Sequence, residues 1–389
     1  MQLSNGRYAA DVMLQSEHLQ FRQTFRRFVE QRLAPLAAKG EKEKRFPLEV
    51  YAALREGGYL APDCPEEVGG GGGDILIGCI YYEELSRIPA GVSAGVIGHQ
   101  HLALKTLLAL GSEAQKREYL LPGVRAERIG AFALTEPDAG SDIMGIRTRA
   151  RRDGADWILS GSKVYITNGG ISDFYIVAAR TLAERRPDAL SLFIVDANSP
   201  GLSASALDKL GNHSSTTALV TLDDVRVGPG RLLGELGTGL RQLKATLTSG
   251  RILQATRGVG IAQVALEKSQ AYARDRKAFE QPIGQFQGVA FRLAEMAAKI
   301  EAARLMIYSA ARAYLAGEDV SVGASMGKFL MADAVQYAVR NAMTSHGGYG
   351  YMEESGLPRL YRDAPEAYIG EGTPDIQLRI IARAMGMKC

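Results

Sequence analysis

The spacing of apolar residues changes period twice along this chain, and that restricts the fold more than any other feature. Up to about residue 125 the spacing is helical: Phe21, Phe25, Phe28 and Leu33 form one stripe, and Ser16 is placed to N-cap its helix. Pro47 suits a first helical turn, Val50, Tyr51 and Leu54 follow, and Gly57-Gly58 closes that helix. From about 130 to 228 the period is two. Thr148, Ala150 and Arg152 share one strand face before Asp153-Gly154, a hairpin signal, with Trp157 and Leu159 beyond it. Phe174 to Ala179, Leu190 to Val195 and Leu219 to Val227 read as further short strands, the pattern of a small sandwich or barrel. After Gly239 the helical period returns in Leu293, Met296, Ile300, Ala303, Ile307, Ala311 and Tyr314, and again from Ala324 to about Ser345, as in a bundle. Strands and helices are segregated rather than alternating, which disfavours a Rossmann nucleotide fold.

At 389 residues the chain is long enough for two or three cores, divided here as 1–127, 128–230 and 231–389. Lys and Arg number 46 against 43 Asp and Glu, a net +3 that argues against nucleic acid as partner. Cys64, Cys79 and Cys389 have no metal-ligand spacing and form no disulfide framework, and the five histidines form no zinc-type cluster, so no metal is expected. The N-terminal stretch carries Arg7, Asp11, Glu17 and Arg22 and no apolar signal region, and no run of ~18 apolar residues is long enough to span a membrane. A cytoplasmic location is expected. Gly69 to Gly73 reads as a flexible loop, because no Lys-Ser/Thr follows to make it a phosphate cradle.

Five segments carry potential chemistry. From Ala133 to Asp142, Pro, Gly, Ser and Asp impose an irregular loop offering Thr135 and Ser141 hydroxyls to a ring edge or phosphate; an ordinary Asx or ST turn is the other reading. In Lys163 to Gly170, Tyr165 and Thr167 are two apart on one strand face, fit to flank a flat ring or simply to enter an Asn-Gly turn. Arg274 to Gly284, then Phe286-Gln287, sets basic groups beside an aromatic: a phosphate and base site, or a solvated face. His346 to Tyr351 ends a long helix with glycines that cap it or admit a ligand to the backbone. Glu371 lies between Gly370 and Gly372, free of bulky neighbours; a partly apolar pocket would lift its pKa toward general-base duty, and an exposed loop glutamate is the alternative.

Together, in wording, order and spacing, these segments resemble the acyl-CoA dehydrogenase family from about residue 10 to 388. Thr135-Glu136-Pro137 through Ala139-Gly140-Ser141-Asp142 is similar to that family's signature loop, Tyr165 to Gly169 to its flavin-facing strand, and Arg276 with Phe279, Pro282-Ile283 and Phe286-Gln287 to its flavin-clamping hairpin. Gly347-Gly348, Leu360 to Ala364 and Glu371-Gly372-Thr373 resemble its C-terminal signatures. The resemblance implies a mainly α fold with a central β domain: an N-terminal helical domain, a middle β-barrel or sandwich and a C-terminal four-helix bundle, assembled as a homotetramer. It implies FAD, with Phe132, Leu134, Thr135 and Ser141 lining the flavin, Tyr165 and Thr167 over the ring, and Thr373 and Asp375 also in contact. Arg276, Phe279 and Gln287 would reach a neighbouring subunit's cofactor, whose phosphates Gly347 and Gly348 would hold.

The same resemblance makes Glu371 the base that takes the α-proton of an acyl thioester while hydride passes to flavin N5, yielding a trans-2-enoyl product. Some members carry the base immediately before an arginine of the bundle; here that arginine is Arg251 and Gly250 precedes it, so the two positions are mutually consistent. Arg251, Thr248, Gly370, Gly372 and Ser141 are the expected substrate contacts. Three positions depart from the family: Thr344 replaces a usual glutamine, Thr248 an acid, and Gly370 a tyrosine. The last is expected to widen the pocket for a branched or bulky acyl group. An acyl-CoA dehydrogenase reoxidised by an electron-transfer flavoprotein is the leading expectation. Alternatives are a dehydrogenase of carrier-protein-bound acyl groups, a flavin oxidase or monooxygenase, and a silent flavoprotein.

Overall fold

The computed structural model describes residues 8–182 and 186–388, without the side chains of Pro187, Lys244 and Ala245; Arg7 and Cys389 lie outside it. The N-terminal helices are α1 (Ser16–Phe28), α2 (Ala34–Glu43), α3 (Glu49–Glu56), α4 (Ile75–Leu85), α5 (Gly91–Ile97) and α6 (Thr106–Leu110), then the short α7 (Glu113–Gln115) and α8 (Leu121–Val124). Ser16 is the first residue of α1 rather than its cap. Its hydroxyl turns to Glu17, and Gln15 takes the cap position, its N–H donating to His18 Nδ1 at 3.1 Å. Of the predicted stripe, Phe25 and Leu33 are buried, and Phe25 stacks on Tyr81 of α4 with ring centres 4.6 Å apart. Between α5 and α6 the helix widens into a π turn, Gly98–Lys105.

The five-glycine run is not the flexible loop that composition suggests. It folds onto Ala61 to Pro65, with Gly70 N–H donating to Pro65 O, Gly71 to Ala61 O, Gly72 to Cys64 O and Gly73 to Pro62 O. A Cβ on Gly70 would fall 2.3 Å from Cys64 O, so close backbone approach is what requires glycine there.

The β unit is one mixed sheet: β1 (Gly130–Ala133), β2 (Arg149–Asp153), β3 (Asp156–Thr167), β4 (Phe174–Arg180), β5 (Leu190–Asp196), β6 (Leu202–Ala206), β7 (Thr217–Val227) and β8 (Leu232–Leu233). The order is β6-β7-β3-β2-β4-β5-β8, with β1 parallel to β4. The β2–β3 hairpin turns at Gly154 (φ +62°) and pairs Ala150 with Leu159 and Arg152 with Trp157. Thr148 and Ala150 are buried as expected, but Arg152 is exposed, its guanidinium 4.8 Å from the Trp157 ring. Tyr175, Val177, Phe193 and Val195 of β4 and β5 meet Trp157, Leu159, Val220 and Val225 of β3 and β7 across one core, so the sheet curls on itself. The opposite face of β4 and β5 packs through Phe174, Ile176, Leu192 and Ile194 on Leu104, Leu107 and Tyr119. Burial on both faces explains their nearly unbroken apolar runs.

The C-terminal part consists of α9 (Gly239–Asp275), a tight hairpin β9 (Lys277–Ala278) and β10 (Gln281–Pro282), α10 (Gln287–Leu315), α11 (Ser321–His346), α12 (Leu357–Ile369) and α13 (Pro374–Ala384). Helices α9, α10 and α11 pack against one another, α12 lies across α9 and α11, and α4 packs on α9, joining the first unit to this bundle. No helix among the described residues is long and apolar enough to cross a membrane.

Candidate active site

Pro374 starts a new helix, and Thr373 in extended conformation takes its cap position, so the chain must turn between α12 and α13. The turn places Glu371 at φ +56° and Gly372 at +106°, a left-handed kink that a non-glycine residue holds only when its surroundings enforce it. Lys328 of α11, 1 % exposed, is the enforcing group. Its ammonium donates to the carbonyls of Gly370 and Gly372, the latter at 2.8 Å, on either side of the glutamate. Gln377 Nε2 also donates to Gly372 O, at 2.9 Å. The kink turns the Glu371 side chain inward, where Oε2 is buried without a hydrogen-bond partner.

What it faces is Gly250 on α9. A Cβ there would stand 2.2 Å from Glu371 Oε2, so this carboxylate and a side chain at 250 exclude each other. Burial pushes the Glu371 pKa up to about 7, and Glu366 adds to the rise, against the opposing pull of Lys328, Arg257 and Arg251. Burial likewise draws Lys328 down to about 8, against Glu371 and Glu366.

In the β unit, buried Glu136 organises the signature loop. It accepts from the N–H groups of Arg147 (2.6 Å) and Thr148 (3.0 Å) and from Lys163 Nζ (2.7 Å), which also donates to Leu134 O at 2.9 Å. Val164 N–H donates to Thr135 O at 2.9 Å, locking the loop beside β3. Thr135 and half-buried Thr167 therefore neighbour Tyr165, which is 70 % exposed at φ +60°. Ser141 is exposed, and Phe132 and Leu134 pack at the edge of the core shared with the helices. A Cβ on Gly98 would lie 3.2 Å from Thr167 Cγ2, and one on Gly250 3.4 Å from His101 Nε2. The Gly98–Lys105 turn thus touches both the β3 face and the Glu371 pocket, bringing these two groups of predicted residues to one crevice.

The third group stands apart. Arg276 follows Arg251 by 25 residues, about 37 Å along α9 at 1.5 Å per residue. Arg276, Phe279 (89 % exposed, φ +51°), Gln287, Gly347 and Gly348 lie exposed at that far end, and a Cβ on either glycine would meet nothing within 4 Å. Thr344 turns its hydroxyl back to Arg340 O at 3.0 Å. Asp375 is exposed in the first turn of α13. The uncovered Tyr165 and Phe279 rings, each held in left-handed backbone, offer flat apolar surface suited to the planar ends of a flavin dinucleotide, so these residues fit FAD.

The widening expected at Gly370 does not follow. A Cβ there would meet Glu366 Oε1 at 2.9 Å and Gln254 Nε2 at 3.1 Å, so polar groups already stand where a ring would go. Arg257, fully buried, ties this wall together through Glu366 (2.9 Å) and Gln254 (2.7 Å). Sequence reasoning missed Lys328, His101, Gln254 and Arg257. Two cavities of about 430 and 420 Å³, one beside Asp63 and Lys105 and one between Tyr337 and Tyr361, are not lined by Glu371.

Family models described as the acyl-CoA dehydrogenase N-terminal, middle and C-terminal domains match residues 15–127, 131–225 and 237–386. A 3-(aryl)acrylate reductase of Clostridium sporogenes is 38 % identical over 368 residues, 94 % of this chain and 97 % of that one. Among solved structures, butyryl-CoA dehydrogenase from Megasphaera elsdenii superposes with a TM-score of 0.92 at 34 % identity, covering 96 % of this chain and 99 % of the other. The prolyl acyl carrier protein oxidase AnaB does so with a TM-score of 0.91 at 32 % identity, covering 96 % and 100 %. Identities so alike do not choose among three different substrates, but the fold and all three domain models agree. The chain belongs to the acyl-CoA dehydrogenase family of FAD-dependent oxidoreductases.

Proposed function

We propose that this enzyme introduces a trans α,β double bond into an acyl thioester, with Glu371 as the base. The observation that carries this reading is the unpartnered, buried Glu371 Oε2, lifted toward neutrality and facing a residue without a side chain. A base poised near working pH holds the proton it takes without being permanently neutralised. The Glu371 N–H donates to no group among the described residues, which leaves it to meet the thioester oxygen as enolate charge develops. Thr135, Ser141, Tyr165 and Thr167, with Phe132 and Leu134 behind them, would orient the cofactor; Thr373 and Asp375 border it from the bundle. Arg251, Thr248, Gly370 and Gly372 would border the acyl thioester. Bound FAD supplies the hydride acceptor.

The exposed Arg276, Phe279, Gln287, Gly347 and Gly348 end, about 37 Å along α9 from Arg251, supports a site completed by a second subunit of a homotetramer. An electron-transfer flavoprotein is the acceptor this reading assigns. The AnaB likeness supports a carrier-protein version, which differs in what holds the thioester rather than in the base. Anaerobic mixing of the FAD-loaded enzyme with acyl-CoAs and carrier-bound acyl groups tests the reading. Flavin absorbance is expected to bleach with one of them, and Glu371→Gln to slow bleaching by at least about 10³-fold while FAD stays bound. Normal bleaching in that variant places the base elsewhere; no bleaching by any thioester favours the monooxygenase or silent alternatives, and bleaching that air rapidly reverses favours the oxidase.

A further inference from the structure

We infer that this enzyme takes its acyl group from a carrier protein with an acidic surface, which docks on the arginines of β2 beside the mouth of the site. The inference rests on the thioester reading above and chooses between its two thioester holders, a carrier protein and CoA. Residues 143–152 contain four arginines and no acid: Arg147, Arg149, Arg151 and Arg152, all exposed. In the β2–β3 hairpin Arg149 stands opposite Ser160 and Arg151 opposite Ile158, while Ala150 between them faces the core with Leu159. Arg149 and Arg151 therefore project from the same outward face, about 7 Å apart. Acids in the adjoining turns are engaged elsewhere: Asp138 pairs with Arg147 at 3.0 Å, and Asp153 and Asp156 pair with Arg226 at 2.5 and 3.0 Å. Arg152 lies over the Trp157 ring, and Arg149 and Arg151 pair with no acid among the described residues.

These arginines are continuous with the site's own loop. Buried Glu136 accepts from the Arg147 and Thr148 N–H groups at 2.6 and 3.0 Å, so the start of β2 is held against the loop that carries Thr135 and Ser141. Through Lys163 and the Val164 N–H the same loop is locked to β3, next to Tyr165 and Thr167. An acyl group carried on a pantetheine arm has its protein just outside the place where the arm enters, and the unpaired charges stand there. Their surface is an open strand face, and neither of the two cavities described above is lined by it. A nucleotide is usually held in a concave, mostly apolar pocket, whereas arginine is enriched where one protein surface meets another. Like charges left uncompensated on a free surface repel one another; an acidic partner relieves that repulsion and is drawn in from a distance. Guanidiniums keep their charge at any working pH, so docking here depends on salt and not on their titration.

The test loads a series of acyl groups onto a fatty-acid acyl carrier protein of net negative charge and follows anaerobic flavin reduction in the FAD-loaded enzyme at limiting thioester. Arg149→Glu with Arg151→Glu is expected to slow reduction by the carrier-bound thioester about tenfold or more, and to change the rate with the same group on CoA by less than about twofold. Arg149→Lys with Arg151→Lys should retain most of the carrier rate, and in the wild type that rate should fall more steeply with added salt than the CoA rate does. Equal losses with both thioesters would assign the arginines to the nucleotide phosphates and overturn the inference, and so would loss with neither. A wild type reduced by the CoA ester and by no carrier-bound one overturns it as well, as does slower reoxidation by an electron-transfer flavoprotein with both reduction rates intact. Binding of a fluorescently labelled acyl carrier, read by anisotropy, separates the two claims. Binding that the two glutamates abolish, without flavin reduction, sinks the dehydrogenation reading alone. Reduction by a carrier whose binding they leave unchanged sinks this one alone.

Discussion

Glu83 and Glu371 are both glutamates turned into helical packing, and their environments drive their ionisation in opposite directions. Glu83 on α4 is 1 % exposed and has a donor on each oxygen, Arg304 Nε at 3.0 Å and Tyr308 Oη at 2.9 Å. Burial alone would raise its pKa, but Arg304, Arg22 and Tyr308 overcome burial and hold it below the usual carboxylate range. Glu371 also has cations nearby, yet burial wins there. The reason is where the protons go. Lys328 spends its donors on the Gly370 and Gly372 carbonyls, and Arg257 spends its own on Gln254, Ser93, Ala90 O and Glu366. A cation that does not donate directly to a buried carboxylate moderates its pKa without fixing its charge. That distinguishes a carboxylate that holds elements together from one left free to accept a proton.

Breaking the first arrangement has the largest expected effect. Glu83→Gln leaves buried Arg304 with Glu301 as its remaining counter-charge, while Arg22 keeps Asp11, and should cost about 3 kcal/mol in denaturant unfolding. The pH signs differ as well. Glu83, depressed in the fold, contributes stability that is present above its unfolded value of 4.5 and is lost as pH falls through its lower folded value. Glu371, raised in the fold, does the reverse: stability declines as pH climbs from 4.5 toward about 7. Glu371→Gln is therefore expected to melt no lower than wild type at pH 8. Equal losses of stability in the two variants would remove the contrast.

The second arrangement is broken from the opposite helix. Gly250→Ala puts a methyl 2.2 Å from Glu371 Oε2, so the carboxylate must move. Displacing a base by this order of distance is expected to slow flavin reduction about 10²-fold at saturating thioester. Gly258→Ala is the matched control on the same helix, because its methyl meets the flexible Met331 side chain at 2.0 Å and not the base. It should lose about 1–3 kcal/mol of stability by overpacking with its flavin-reduction rate near wild type. A rate loss shared by both variants would show that α9 as a whole, and not the shared space at Gly250, sets the position of Glu371.

The layout of the molecule was legible because each unit has its own apolar period. Met296, Ile300 and Ile307 did fall on a buried helical stripe, and β4 and β5 did lie where unbroken apolar runs placed them. The Glu371–Gly250 relation was legible only as a pair of residue types; the contact itself depends on how the α12–α13 turn meets α9. The glycine run was misread because its partners, the carbonyls of Ala61 to Pro65, are set by chain folding and not by composition. Likewise Gly370 promises space only if its neighbours are apolar, and Glu366 and Gln254 come to it from two helices. His101 and Gln100 sit on a π turn, whose period obscures which side chains face inward. Lys328 did carry a signal: with Ala324, Met331 and Val335 it lies on one buried stripe of α11. A charge in such a stripe demands partners, but nothing in the sequence says they are the carbonyls flanking the base.

Lys328 gives the finest adjustment to the contrast between the two carboxylates. Its charge opposes the rise of the Glu371 pKa, so Lys328→Met should move the acid limb of kcat/KM upward from about 7 by roughly one pH unit. Lys328→Arg, which keeps the charge, should leave that limb near its wild-type position even where its larger head lowers kcat. Above pH 8 the wild-type ammonium itself titrates and its hold on the Gly370 and Gly372 carbonyls weakens. The wild-type profile should therefore fall on its alkaline side, and Lys328→Met should lack that fall. A purely structural lysine would lower kcat at every pH without moving either limb. Unmoved limbs in Lys328→Met would mean that burial alone sets the ionisation of Glu371, with the ammonium serving only to hold the left-handed turn.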